Sequence, residues 1–474
     1  MAKIEIPEIL KKMNRIFEEN GFEAYLVGGA VRDTILGKTA SDWDLTTNAK
    51  PQDVIRMFRR VIPTGIAHGT VTVHFMKKEI EVTTYRCDGK YSDGRHPDEI
   101  QFASNIEDDL SRRDFTINAI ASSLKDGSVI DPFSGESDIK AKTIRTVGKA
   151  YDRFMEDGLR PIRAVRFSSQ LGFEIEEETL KAIENPDVQK KIASVSIERF
   201  RDELSKILKS PTPSVGLKLL EKTGILKIFI PELAECRNCS QKDVRGYHEF
   251  DVLDHNFYAC DGADKDNFTV RLAALFHDIG KKEARTVELK EYPEGSGKKE
   301  ELVHFHKHEI YSAEKTEKIL TRLRFPKAQI ESVTHLIQNH MFFFEENWTD
   351  AAVRRFIVRI KPEFIDDLFE LRKADVYGMH REKWDSQSKS AKSLEILRRR
   401  INEIEAQKTA LSLKDLAVNG KDLIEEGIPA GKKLGEILNA LFQQVLENPS
   451  LNTKEKLLDS AKKLNKENEE TEQQ

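Results

Sequence analysis

The stretch Leu26–Thr47, "LVGGAVRDTILGKTASDWDLTT", poses the question that decides the fold. Asp42 and Asp44 flank a single Trp in a run with strand character, and alternate residues of a strand share a face. The spacing predicts two carboxylates projecting together, which repel each other unless a cation lies beside them. A dozen residues upstream, Gly28 and Gly29 close the run "AYLV". Glycines there let backbone amides come close to a polyphosphate. Arg32, one helical turn later, can add a charge-assisted hydrogen bond to phosphate. Hard carboxylate oxygens suit Mg²⁺, which binds through a few carboxylates plus substrate phosphates. Such ions activate an attacking hydroxyl and stabilise a leaving pyrophosphate. A lone D-x-D or Gly-Gly is a weak signal. In the order strand, turn, helix, strand they point to phosphoryl transfer by positioning and charge neutralisation.

The rest of the chain sets the bounds. Its 474 residues suit about three domains. Charged residues make up 33%, hydrophobic ones 39%, and mean hydropathy is −0.53, which argues for a folded protein rather than wholesale disorder. Apolar runs such as "LAALF" (Leu272–Phe276) are too short for a bilayer, and "MAKIEIPEILKKMN" has no signal-type apolar core. The expectation is a cytoplasmic protein with no membrane contact. Cys236 and Cys239 form "CRNC" without a second Cys pair or a His at zinc spacing, so they read as loop thiols. A net charge of −5 gives no global attraction to nucleic acid, so any RNA contact must come from local basic surfaces.

Periodicity predicts a helix over 5–20, then short strands at "AYLVGG", "DWDLTT", "GTVTVHF", "EIEVTTYR" and "SVIDPF", with a helical piece at Pro51–Arg59. The expected class is α+β. A head with a small β-sheet spans 1–145, an all-α neck 146–240, and a region holding nine of the twelve histidines 241–385. A helical tail, 386–474, ends in a disordered acidic C-terminus. "KEYPEGSGKKEE" reads as an exposed loop and "RRRINEIEAQK" as a charged helix face.

"GGAVRDTILG" and "SDWDLTT" resemble the metal and triphosphate motif of the CCA-adding tRNA nucleotidyltransferase and poly(A) polymerase family, the bacterial class of the polymerase-β-like superfamily. In order along the chain, "LSRRDFTINAIA" resembles its ribose-selecting motif and "MEDGLRPIRAVRF" its base-reading motif. "DLAVNGKDL" and "LGEILNALFQQVLENPSLNTKEKLL" resemble its tail. The resemblance implies Asp42 and Asp44 as Mg²⁺ ligands. It implies Gly28, Gly29, Arg32, Arg113 and Asn118 on the triphosphate and sugar, with Asp157, Arg160, Arg163 and Arg166 on the nucleotide. A carboxylate accepts from the exocyclic amine of C or A and a guanidinium donates to ring acceptors, so an Asp/Arg pair can select those bases. Pro161 predicts that the helix carrying them starts or kinks nearby. "YRCDGKYSDGRHPDEIQF" (Tyr85–Phe102) resembles the mobile loop of full CCA-adding members, and Glu81 reads as a strand-surface acid first and a helper at the metal site second.

A second constellation, "LAALFHDIGK" with His277 and Asp278, joins His255 upstream and Asp375 downstream in an order that resembles the HD phosphohydrolase superfamily. His308 and His340 match the extra ligands of fuller HD sites. The implication is a transition-metal ion and a phosphatase or 2′,3′-cyclic phosphodiesterase activity. His248, His304, His306 and His335 read as bystanders. The expected function is CCA addition to the tRNA acceptor end from CTP and ATP, with no obligatory protein partner. An A-only adder or a poly(A) polymerase would share the same motifs, although the chain ends acidic where a poly(A) polymerase would carry a basic extension. An HD phosphohydrolase with an inactive head is the rival of a different class.

Overall fold

The computed structural model describes residues 3–40, 42–88, 100–382, 384–407 and 409–472. Most of the loop read as mobile, 89–99, lies outside the described residues. Contacts divide the chain into two units, residues 1–237 with 319–325, and residues 238–318 with 326–474.

In the first unit, the strands β1 (Ala24–Val27), β2 (Asp44–Thr47), β3 (Val61–Gly65), β4 (Thr70–Phe75) and β5 (Lys78–Thr84) form one sheet. They are joined by β8 (Ala121–Ser123) and β9 (Val129–Ile130), in the order β3-β4-β5-β2-β1-β8-β9. A separate antiparallel pair, β6 (Arg86–Asp88) and β7 (Ile100–Phe102), flanks the undescribed loop. β5 shows the two-residue period that builds a half-buried strand, with Ile80, Val82 and Thr84 inward. The helix Glu8–Glu19 covers the sheet with Leu10, Met13 and Phe17 fully buried. β2 pairs antiparallel with β1 and parallel with β5, which places Asp44 opposite both Val27 and Glu81.

That register corrects one expectation. β1 ends at Val27 and the chain turns at Gly28, so Asp44 is the last paired residue of β2. Asp42 lies in a bend ahead of the strand, and the two carboxylates do not share a strand face. Gly28 holds φ +68°, a left-handed conformation costly for a residue with a Cβ, and a Cβ there would also lie 3.1 Å from Arg113 Nη1. Two strands of the seven-stranded sheet escaped the pattern: β3, whose residues are mostly exposed at the sheet edge, and β8, three small residues inside the ribose-type motif.

Helices Ala150–Glu156, Leu159–Leu171 and Ile197–Leu208 follow, and a short parallel pair, β10 (Thr143–Ile144) and β11 (Glu174–Ile175), braces them. Pro161 falls in the first turn of its helix, where its missing N–H costs nothing.

In the second unit, helices Val252–Gly262, Phe268–Phe276, His308–Arg322, Lys327–Asn339 and Ile365–His380 carry the six histidines and aspartates of the HD-like pattern at or near their ends. An antiparallel hairpin, β12 (Arg285–Glu291) and β13 (Lys299–Phe305), is set between them. The C-terminal helices close on their own core of Leu423, Ile437, Leu441, Val445 and Leu457. The acidic end, read as disordered, has helical backbone through Glu472. Buried Leu457 and Ala461 anchor that helix, and its Lys- and Glu-rich end continues it with good helix formers. In "RRRINEIEAQK", Arg398 pairs with Asp366 and Arg400 with Asp350, as for a charged helix face.

Helices Val252–Gly262 and Ile365–His380 pack closely because Gly378 faces His255 and Gly262 faces Tyr377, neither with a Cβ in the way. A Cβ on Gly378 would stand 2.8 Å from His255 O and 2.9 Å from His255 Nδ1. Gly378→Ala should therefore lower stability by about 1–3 kcal/mol, as overpacking does. The midpoint of guanidinium unfolding would show it.

Candidate active site and metal centre

In the first unit a cavity of about 690 Å³ opens where β1 gives way to Gly28. Eight arginines and three aspartates line it, so the cavity is strongly positive although the chain is net negative. Gly28, Gly29, Arg32, Asp44, Arg113, Asn118, Asp157, Arg160, Arg163 and Arg166 all reach it. Asp42 is not among its lining residues, but its charge is felt at Asp44. Burial, then Glu81 and Asp42, push the Asp44 carboxyl above the ordinary range while Arg113 opposes them. The charges of Glu81 and Asp42 thus reach Asp44, and carboxylate oxygens suit a hard divalent cation. Glu81 is exposed on β5, as a strand-surface acid is.

The arginines are held by acids that the motif reading left out. Asp109, fully buried, receives Arg112 at 2.8 Å and Arg113 at 3.3 Å, three and four residues further along the chain. Against its burial, these two guanidiniums hold the Asp109 carboxyl below the ordinary range. Arg32 Nη1 donates to Asn118 Oδ1 at 2.7 Å, Asn118 Nδ2 donates to Asp114 at 3.2 Å, and Arg163 Nε donates to Asp114 at 2.7 Å. Arg166 Nε donates to buried Glu203 at 2.6 Å. Arg32, Arg163 and Arg166 all sit over the Phe167 ring, Arg166 at 3.7 Å from its centroid.

Asp157 and Arg160 do not pair with each other. Asp157 lies just before its helix, accepts from Leu159 N at 2.9 Å, and is gripped by Arg199 at 3.1 and 2.7 Å. Arg160 is held by Glu156 and by the carbonyls of Arg153 and Arg112. Both side chains are therefore fixed independently, facing one cavity.

In the second unit His255, His277, Asp278, His308, His340 and Asp375 come together, all buried. Asp278 Oδ2 lies 3.2 Å from His255 and 3.4 Å from His277, while Oδ1 lies 3.1 Å from His308 and 3.7 Å from His340. Asp375 adds contacts of 3.2 and 3.5 Å to His255 and His277. Nδ1 of His277, His308 and His340 each faces a backbone carbonyl, at 2.9, 2.7 and 2.7 Å. A carbonyl only accepts, so each Nδ1 carries a proton, and in the neutral ring each Nε2 presents a lone pair. His308 Nε2 and His340 Nε2 stand 3.2 Å apart, and no hydrogen bond joins them while both rings are neutral. A cation among them would relieve this, and imidazole with carboxylate suits a transition metal. Against their burial, the surrounding histidines hold Asp278 and Asp375 well below the ordinary range, Lys281 helping at Asp278.

A cavity of about 320 Å³ adjoins this cluster. His248, His304 and His306, read as bystanders, line it. His335 does not, and is satisfied by the Ile360 carbonyl at 2.7 Å. Cys236 and Cys239 are buried and unbridged, and join no group of metal-type donors among the described residues.

Comparisons with known proteins agree with this geometry. Residues 24–145 match the poly(A) polymerase head domain, 172–237 the RNA- and SrmB-binding site of polymerase A, and 303–461 the tRNA nucleotidyltransferase domain 2. Each of the three stretches is thus similar to a domain of poly(A) polymerases or tRNA nucleotidyltransferases. The chain is 42% identical over 245 residues, 51% of its length, to the CCA-adding enzyme of Oceanobacillus iheyensis. It is 46% identical over 228 residues, 48% of its length, to that of Geobacillus thermodenitrificans. The matches span 60% and 54% of those relatives' length, little more than half. The crystal structure of the Bacillus stearothermophilus CCA-adding enzyme in complex with CTP superposes with a TM-score of 0.72 and 27% identity, covering 98% of each chain. The Thermotoga maritima CCA-adding enzyme complexed with tRNA shares the fold with a TM-score of 0.56, at 19% identity over 98% of this chain and 100% of that one. Among the described residues no helix is long and apolar enough to cross a membrane.

The Asp114–Arg163 pair carries a pH signature. Against its burial, Arg163 holds the Asp114 carboxyl down to about 2, from an ordinary 3.8. A depressed carboxylate stabilises the fold above its unfolded value and loses that contribution as pH falls through its folded value. About 2 kcal/mol should disappear between pH ~4 and pH ~2. In Asp114→Asn that acid-limb slope should flatten, as read by urea midpoints across the range.

Proposed function

We propose that this chain builds and repairs the 3′-terminal CCA of tRNA from CTP and ATP without a nucleic-acid template. The observation that carries the reading is a single arginine-rich cavity holding both a phosphate-type corner and two fixed base-reading side chains. In it, Gly28 and Gly29 leave room for the triphosphate, and Arg32 and Arg113 neutralise it. Asn118 shapes the ribose side, where a polar contact distinguishes the 2′-hydroxyl. Asp157 accepts from the exocyclic amine of C or A while Arg160 donates to ring acceptors. G and U present a carbonyl in place of that amine, which the carboxylate repels. Arg163 and Arg166 hold the nucleotide's remaining edge. Asp42 and Asp44, with Glu81 alongside, would hold Mg²⁺, which supplies activation of the RNA 3′-hydroxyl and charge neutralisation of departing pyrophosphate. The division into head, neck, metal-binding region and tail goes with this reading, the helical body gripping the tRNA acceptor arm by shape. The CTP-bound relative at 27% identity supports the substrate assignment.

Purified protein given tRNAs ending before, within and after CCA should add C, then A, and stop. A-only addition to a CC end, or unlimited A tails, would identify the other members of the family instead. Asp44→Ala should cut incorporation on the order of 100-fold or more, because several kcal/mol of charge stabilisation are lost. Arg160→Ala should relax the choice of C and A over G and U by about 10- to 100-fold, measured as ratios of kcat/KM.

The second unit favours a second activity. We propose a metal-dependent phosphohydrolase held by His255, His277, Asp278, His308, His340 and Asp375, supported by the opposed Nε2 lone pairs of His308 and His340. Water would attack phosphorus as the bond to a ribose 2′- or 3′-oxygen breaks, that oxygen gaining the proton that water loses. Hydrolysis of 2′,3′-cyclic AMP should follow added Ni²⁺, Mn²⁺ or Co²⁺. It should vanish in His277→Ala, with bound metal by elemental analysis falling too. Activity that persists in that variant would leave the centre structural.

A further inference from the structure

We propose that the second cavity takes one unpaired nucleotide, its phosphate toward the metal cluster and its base against a platform of Tyr247, His304 and His306. The proposal rests on the phosphohydrolase reading and adds the recognition that the metal ligands alone cannot provide.

Beside the cluster stand two cations, each on a ligand carboxylate. Lys281 Nζ lies 2.6 Å from Asp278 and Arg372 Nη1 lies 3.5 Å from Asp375. Both line the cavity, and with a bound metal they make a pole for a phosphate. Arg245 also lines it but is engaged elsewhere, on Asp243 and on the Val303 carbonyl at 2.6 Å. Asp243 in turn receives Val303 N at 3.1 Å. These contacts clip strand β13 in place and so present its next residues, His304 and His306, to the cavity.

The rest of the lining includes flat, unsaturated side chains. The rings of His304 and His306 are parallel within 8°, with centroids 5.4 Å apart, and His306 is exposed. Tyr247 is 61% exposed and Met341 53%, large faces left open at the cavity. His248 keeps a buried Nδ1 with no hydrogen-bond partner among the described residues, a polar contact suited to a base edge. A base stacks on such surfaces whatever its identity. The volume, about 320 Å³, is at the small end of ligand cavities, roughly 300–1,000 Å³, and fits one nucleotide. A base inside it cannot remain paired, so the ligand is a free nucleotide or the splayed end of a single strand.

The test uses the full chain with Asp42→Ala and Asp44→Ala, which silences the head, loaded with Mn²⁺. Hydrolysis of 2′,3′-cyclic AMP is compared with that of ribose 2,3-cyclic phosphate, which lacks a base. The expected KM for the nucleotide is lower by about 5- to 100-fold, the range of one stacked base. Tyr247→Ala and His304→Ala should each shrink that ratio. Equal KM values, or a ratio indifferent to both variants, overturn the proposal. If neither compound is hydrolysed, the phosphohydrolase reading fails by itself. Binding at the Mn²⁺ site then decides this one, through ³¹P relaxation of adenosine 3′-phosphate against ribose 3-phosphate. Stronger relaxation with the nucleotide, lost in Tyr247→Ala, sustains the platform, and equal relaxation removes it.

Discussion

Eight guanidiniums in one cavity would drive each other apart if nothing opposed them. The head is organised by the acids that prevent this. Asp109, Asp114, Glu156, Asp157 and Glu203 each take one or two arginines, from positions at or beneath the cavity wall. Buried ion pairs of this kind are weak contributors to net stability, but removal of either partner leaves an uncompensated charge. Their service here is positional. A guanidinium braced by a carboxylate on one side can offer its other donors in a fixed direction, and it has five. The surplus of arginine over acid leaves the cavity positive enough for a triphosphate, while every element of the first unit that touches it is tied to another.

The metal centre follows the opposite rule. There the groups are donors of electron pairs rather than of protons, and the fold forces them together without supplying the charge they need. Carbonyls at two helix ends and one strand end face three imidazoles, and Gly378 lets His255 approach the helix of Asp375. On the proposed reading a bound cation would complete the group, and metal and fold would stabilise each other.

How much of this the sequence discloses depends on distance along the chain. The Gly-Gly turn, the Asp44 strand and the helix carrying Arg160 announce themselves through local spacing, and the six histidines and aspartates of the centre through their resemblance to the HD pattern. Counter-ions do not. Asp114 and Arg163 are 49 residues apart and Arg166 and Glu203 are 37; Asp114 stands inside a quoted motif, but nothing local there names its partner, and Glu203 stands in none. The place of Asp42 was misread because strand character in "DWDLTT" says nothing of where the ladder ends. That is settled by the partner strand, which leaves at Gly28. His304 and His306 were passed over because a hairpin, not a helical spacing, delivers them.

Fixing Asp157 and Arg160 separately has a consequence for selectivity. Had the two paired with each other, a nucleotide would have to break that ion pair before being read, and the cost would fall on correct and incorrect bases alike. Instead Arg199 and Leu159 N hold the carboxylate, and Glu156 with two carbonyls holds the guanidinium. On the proposed reading, the edge that meets the base exists before the base arrives. A mismatched base would then meet charges already held in place, and discrimination would come from that refusal as much as from the bonds made to C or A. A protein choosing bases with no complementary strand would depend on such rigidity. It resides in the contacts between Asp157 and the helix Ile197–Leu208, outside every motif that names the site.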